Sequence, residues 1–233
     1  MRQIDGIVFD KDGTLFHFQA TWGAWCEGLI LEEAGPDIAL RERLADVLGF
    51  DLKHRAFHPD SPVIASTTAE VAALLQPLLP HHDIATLRAR MDARATTLRN
   101  VEAAPLLPLF TELRARGLKL GIATNDTEAP ARAHLAASGI THLFDFVAGF
   151  DSGWGGKPAP GQLLAFAQVA GLDPARCAMV GDSLHDLHAA RAAGMVAVGV
   201  LTGMADEATL DQSADVVLGS IAELPDWLDH SGE

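Results

Sequence analysis

Asp10 and Asp12 stand two residues apart, directly after the mostly apolar run Ile4 to Phe9 and directly before Gly13. A carboxylate so placed can attack phosphorus and form an acyl-phosphate, which divides one hard displacement into two easier ones. A second carboxyl group beside it can protonate the leaving oxygen and later accept a proton from water. Two acids repel each other and repel phosphate, so the pair calls for a hard cation with oxygen ligands, and Mg²⁺ fits. An acidic loop turning at a glycine presents the same residues without chemistry, so the pair has to be weighed with the rest of the chain.

Three other stretches carry residue types suited to the same chemistry. Thr124-Asn125-Asp126 follows the apolar run Leu118 to Ala123 and precedes a new helical stretch. A hydroxyl and an amide there can hold phosphate oxygens, and they are equally ordinary turn and cap residues. Lys157 lies in the glycine- and proline-rich run 153–160 of a chain with 17 Lys and Arg in all, so cations for a phosphoryl group are few. Such a lysine can neutralise both the phosphoryl group and the attacking carboxylate. The phosphate-loop pattern G-x-x-x-x-G-K-[ST] is not met, because Pro158 follows the lysine. Asp182 and Asp186 are four residues apart after the run Cys177 to Val180. That spacing puts them near one face of a helix start, where they supply hard oxygen ligands or simply complement the helix dipole.

Each of these stretches begins where an apolar run gives out. Runs at Ile4–Phe9, Leu118–Ala123, Phe144–Gly149, Cys177–Val180, Val196–Leu201 and Ala214–Leu218 read as buried parallel strands. Amphipathic segments at Leu106–Arg116, Ala129–Ala137, Leu163–Val169 and Ile221–Leu228 read as helices between or after them. The expected fold is α/β, a Rossmann-like parallel sheet with helices on both faces. In such sheets ligands bind beyond the carboxyl ends of the strands, which is where the acids fall.

Between the first and second strands the β signal stops. Phe18, Trp22, Trp25, Cys26, Leu29 and Ile30 repeat at helical spacing up to Gly35-Pro36, and Leu40, Leu44, Val47 and Leu48 continue to Gly49. Thr67 and Glu70 fit a capping box for a third helix carrying Val71, Leu74, Leu75 and Leu78. Asp83 caps a fourth, with Ile84, Leu87, Met91 and Leu98. A crossover needs only one helix, so residues 17–104 are expected to form an inserted all-helical cap, and residues 1–16 with 105–233 the core. Trp22 and Trp25 line the cleft or, as is commoner at helical spacing, fill the cap's core. The stretch Phe50–Ser66, with Lys53, His54, Arg55 and His58, reads as a solvated surface loop, the alternative being a loop that presents cations to an anionic substrate tail. His81-His82 reads as a surface pair rather than half a metal site. His185 and His188 read as non-catalytic.

Composition bounds the function. The 233 residues suffice for one large α/β domain with an insertion, and 48% hydrophobic content makes the chain globular. A net charge of −14 argues against nucleic acid and anionic membranes as partners. No signal peptide and no membrane-length apolar run is read, and the two cysteines, Cys26 and Cys177, lie far apart. A reducing cytoplasm is the expected compartment, and the protein is expected to be a monomer or homodimer.

Asp10-Lys11-Asp12-Gly13-Thr14 resembles the first motif of the haloacid dehalogenase-like hydrolase superfamily. Thr124, Lys157-Pro158 and Gly181-Asp182 to Asp186 resemble the second, third and fourth motifs, in the expected order. The resemblance covers nearly the whole chain outside the details of the cap. It implies a Mg²⁺-dependent phosphatase with Asp10 as nucleophile and Asp12 as general acid and base. Thr124, Asn125 and Lys157 would hold the phosphoryl oxygens. Asp10, Asp182 and the Asp12 carbonyl would hold Mg²⁺, with Asp186 supporting the metal or the lysine. The insertion corresponds to the superfamily's C1-type cap. The presence of Asp12 disfavours the dehalogenase branch, which lacks that acid. The opening motif and the cap look like phosphoglycolate phosphatase and its relatives, which implies a small phosphomonoester as substrate. A phosphomutase acting on a sugar phosphate shares all four motifs, and a catalytically idle interaction module is the alternative from another class.

Overall fold

The computed structural model describes residues 3–64 and 66–230. Strand β1, Gly6–Phe9, opens the chain, and helix α1, Phe18–Ala34, follows after the loop that carries the first two acids. Helix α2, Ile38–Leu48, leads into a small antiparallel ribbon, β2 (Phe50–Asp51) with β3 (Ala56–Phe57). Helices α3, Thr68–Leu75, and α4, Ile84–Ala95, complete the insertion. The core resumes with α5 (Leu106–Ala115), β4 (Lys119–Ala123), α6 (Glu128–Ala137) and β5 (Phe146–Ala148). It continues through α7 (Gly161–Ala170), β6 (Cys177–Gly181), α8 (Leu184–Ala193) and β7 (Val196–Val200). A short α9 (Glu207–Leu210), β8 (Val216–Leu218) and α10 (Leu224–His230) end it.

The six core strands form one parallel sheet in the order β5-β4-β1-β6-β7-β8. β1 is central, with Phe9 paired to Ile122 on one side and to Val180 on the other. The chain builds outward from β1 in one direction through β4 and β5 and in the other through β6, β7 and β8, so the order reverses at the centre, where such sheets hold their ligands. Side chains alternate across the sheet. Ile7 and Phe9 face a layer that holds Leu109, Phe110 and Leu135, while Val8 and Met179 face Phe166 and Leu187. Burial on both faces explains why the strands read as continuous apolar runs rather than as alternating ones. Phe110 meets the rings of Phe9 and Phe144 edge-on at 5.1 and 4.9 Å.

The inserted cap has its own apolar core, centred on Trp25, Leu44, Leu48, Leu75 and Met91. Thr67 and Glu70 form the expected capping box of α3, and Asp83 caps α4 through the Thr86 amide. The stretch expected to be loop over Phe50–Ser66 departs from that reading at its start. Phe50 and Phe57 are buried and meet edge to face at 5.0 Å between centroids, and the Asp51 carboxylate accepts from the amides of Lys53 and His54 to close the turn. Two strands of two residues each are too short for any periodicity to reveal. The outgoing and returning chains run side by side between cap and core: His17 N donates to Val101 O and Ala103 N to Leu15 O, both at 2.8 Å. Among the described residues no helix is long and apolar enough to cross a membrane.

Candidate active site

The three central strands β4, β1 and β6 end side by side, and the residues that follow them are Thr124, Asp10 and Asp182. Lys157 reaches them from the loop between β5 and α7. Its ammonium lies 2.6 Å from Asp10 Oδ1 and 2.6 Å from Asp186 Oδ1, and all three residues are buried. The loop is pinned by side chains from the neighbouring strand end. Asn125 Nδ2 donates to Lys157 O at 3.0 Å, and Lys157 N donates to Asn125 Oδ1 at 2.8 Å. Gln162 Nε2 donates to Thr124 O and to Gly155 O. Asp186 also serves as a cap of α8, accepting from the amide and the hydroxyl of Ser183 through Oδ2. One oxygen of this acid therefore caps the helix while the other meets the lysine.

Asp10, Asp182 and Asp186 bring carboxylate oxygens within 4.8 Å of one another. Burial raises the Asp10 pKa to about 7; Asp186 and Asp12 add to the effect and Lys157 opposes it. Burial likewise holds Asp182 well above the usual carboxylate range, reinforced by Asp10 and Asp186. The Lys157 ammonium is held in its charged form by Asp10 and Asp186 against the opposing effect of burial. Three buried acids around one lysine leave an excess of negative charge, and an all-oxygen donor set of this kind suits Mg²⁺. The backbone leaves room beside it. A Cβ at Gly203 would stand 1.7 Å from Asp182 Oδ2, and one at Gly13, whose φ is +91°, would stand 2.2 Å from the same atom. Thr14 Oγ1 donates to Asp182 Oδ1 at 3.1 Å, and Thr202 Oγ1 ties the second loop to Gly13 O at 2.6 Å.

The Asp12 carboxylate sits in a different set of contacts. Trp22 Nε1, from the cap, donates to its Oδ1 at 2.7 Å, and Lys11 Nζ lies 2.5 Å from its Oδ2. Lys11 is fully buried, lies 3.3 Å from Asp126 Oδ2 and stands over the Trp22 ring. It also meets His134 Nδ1 at 3.1 Å, while His134 Nε2 lies 2.8 Å from Ala95 O at the end of α4. An ammonium has only donors, so Nδ1 accepts and the ring proton sits on Nε2, facing the Ala95 carbonyl. Burial, and then the Lys11 charge, push the His134 pKa down to about 4. Burial raises Asp126 to about 6, with Lys11 opposing. Lys11, Asp126 and His134 were not singled out in the sequence. The one available signal was a lysine held between two acids at the end of an apolar strand.

A cavity of about 80 Å³ lies between the cap and these strand ends. Asp10, Asp12, Thr124, Asn125, Lys157, Asp182 and Asp186 all line it. Trp22 and Trp25 satisfy both readings, since each is packed in the cap's core and each also lines the cavity. Arg55 and His54 are turned to solvent, paired with Glu27 and Asp51, so the surface reading of these loop cations holds. His81 and His82 gain a third possible ligand in Glu33, whose other contact is Arg90 at 2.8 Å. Of the two histidines read as non-catalytic, His185 lines the cavity and His188 meets Ser213 on the surface.

The sequence model of the haloacid dehalogenase-like hydrolases matches residues 4–194. The chain belongs to this family. A phosphoglycolate phosphatase of Rhodospirillum rubrum is 30% identical over 232 residues, covering 95% of this chain and 90% of the relative. The fructose-1-phosphate phosphatase YqaB of Escherichia coli is 32% identical over 197 residues, covering 84% and 95%. In three dimensions the chain superposes on the crystal structure of a predicted phosphoglycolate phosphatase from Haemophilus somnus with a TM-score of 0.73, at 20% identity and covering 97% and 99% of the two chains; that likeness speaks for the fold. The chain is thus a hydrolase-family enzyme with a parallel-sheet core, a helical cap and a buried acid cluster suited to phosphomonoester hydrolysis.

Proposed function

We propose that this enzyme is a Mg²⁺-dependent phosphatase that hydrolyses a small-molecule phosphomonoester through a phosphoaspartate on Asp10. The observation that carries the reading is the buried grouping of Asp10, Lys157, Asp182 and Asp186 at the carboxyl ends of the central strands, with Asp12 beside it on a separate hydrogen-bond network. An Asp10 oxygen attacks phosphorus in line, and the bond from phosphorus to the alcohol oxygen breaks. Asp12 gives its proton to the departing alkoxide. Asp12 then takes a proton from water as that water attacks phosphorus, which frees Asp10 and inorganic phosphate. Lys157 and the Thr124 hydroxyl hold the phosphoryl oxygens. Asn125 acts chiefly by fixing the backbone of Lys157, to which its amide is bonded in both directions. Asp10, Asp182 and the Asp12 carbonyl would hold Mg²⁺, with Asp186 supporting the lysine. Bound there, the ion supplies positive charge that offsets the acids and the phosphoryl group.

The relatives' names make 2-phosphoglycolate and fructose 1-phosphate natural members of a first panel. Phosphate release that requires Mg²⁺ and is lost in Asp10→Asn supports the proposal. Release that survives in Asp10→Asn contradicts it. Return of the phosphoryl group to a second sugar hydroxyl, in place of release to water, would make the enzyme a mutase.

A further inference from the structure

The phosphoryl group belongs at the core end of the cavity, so the cap end receives the alcohol part of the ester. That end is built mainly from Phe18, Trp25, Val63, Ile64, Val71 and Met91, with the hydroxyl residues Ser66 and Thr68 beside them, and among the described residues no cap residue that lines the cavity is charged. The charges that reach the cavity come from the core, and they are mostly acids. Asp12 and Asp126 stand at the boundary with the cap, and Lys157, the single lysine in the lining, is taken by Asp10 and Asp186. Lys11 is sealed behind Asp12 and Asp126. Arg88 pairs with Asp92 and Asp151 over the Phe150 ring, away from the lining. A carboxylate or second phosphate on the alcohol would therefore lie against apolar side chains and acids with no lysine or arginine free to meet it and only His185, on the core side, able to take up a positive charge, an arrangement that burial penalises heavily.

We infer that the substrate is the phosphate ester of an uncharged, largely apolar alcohol, and that esters with an anionic tail, 2-phosphoglycolate included, are poor substrates. The inference rests on the phosphatase reading above and narrows its substrate. The test compares kcat/KM for benzyl phosphate and 2-phosphoglycolate, both esters of unactivated alcohols, so that leaving-group ability does not decide the outcome. Benzyl phosphate is expected to exceed 2-phosphoglycolate at least tenfold. Ser66→Arg adds a cation to a loop position on the cap wall; it should lower the benzyl-to-glycolate ratio at least tenfold. Equal or better turnover of 2-phosphoglycolate overturns the inference and leaves the phosphatase reading standing. If no ester is cleaved, the phosphatase reading fails, and calorimetric binding of benzylphosphonate against phosphonoacetate still reads the cap's preference. Weaker binding of the benzyl compound overturns the inference in that case as well.

Discussion

At the scale of single residues, Asp10 and Asp12 differ in surroundings more than in sequence position. Asp10 is bound by Lys157 within a cluster of buried acids, whereas Asp12 is held by Trp22 Nε1 and Lys11. The proposed mechanism gives Asp10 the attack and Asp12 the protons. Asp10→Asn is expected to lower kcat by several orders of magnitude, as loss of a nucleophile does. Trp22→Phe keeps the packing of the ring but releases Asp12 Oδ1. Proton transfer by a positioned acid contributes about 10²–10⁴-fold, so misplacing it should lower kcat by roughly tenfold with little change in KM; steady-state kinetics on any cleaved ester separates the two. The acids were legible in the sequence because each sits beside its own strand and turn. The Lys11–His134 contact was not, because its partners are 123 residues apart and meet only in the assembled fold.

At the scale of elements, the strands were legible because burial on both faces leaves unbroken apolar runs, and their ends placed the acids correctly. The ribbon of β2 and β3 was hidden by its brevity, and its Phe50 and Phe57 read as loop residues. The loop after β7 carried no motif, yet Gly203 lies against Asp182 so closely that any side chain must displace the carboxylate. Gly203→Ala should therefore raise the Mg²⁺ concentration needed for half-maximal activity by about tenfold or more, while far-ultraviolet circular dichroism stays unchanged; an unaltered Mg²⁺ requirement would contradict the placement of the metal. In the sheet's packing layer, Phe110→Ala should destabilise the protein by ~3–5 kcal/mol, as loss of a buried aromatic side chain does, measured by urea unfolding.

At the scale of the whole molecule, two hydrogen bonds tie the site to the cap: Trp22 to Asp12 and His134 to the Ala95 carbonyl. Stability depends on pH through His134, although its bond to the Ala95 carbonyl by itself opposes the shift. His134 titrates near 4 in the folded chain against an ordinary value of 6.5, because burial and Lys11 disfavour its charged form. The unfolded chain then binds a proton in that window that the folded chain refuses. Stability is fully present above pH 6.5 and falls as the pH drops towards 4, by up to about 3 kcal/mol for this one group. His134→Gln, which still accepts from Lys11 and donates to Ala95, should flatten that part of the profile relative to the unaltered protein in urea unfolding at pH 7, 6 and 5. Equal slopes for the two proteins would contradict the assignment. None of this coupling was legible in the sequence, where residues 11, 95 and 134 share no pattern.

The central claim is the covalent phosphoaspartate on Asp10. It is tested most directly by quenching the enzyme during turnover of a cleaved ester, reducing the acyl-phosphate with borohydride and mapping the peptides by mass spectrometry. The account predicts conversion of Asp10 to homoserine, dependent on Mg²⁺ and absent in Asp10→Asn. Reduction at Asp12 or Asp182, or full turnover with Asp10 never modified, would contradict it.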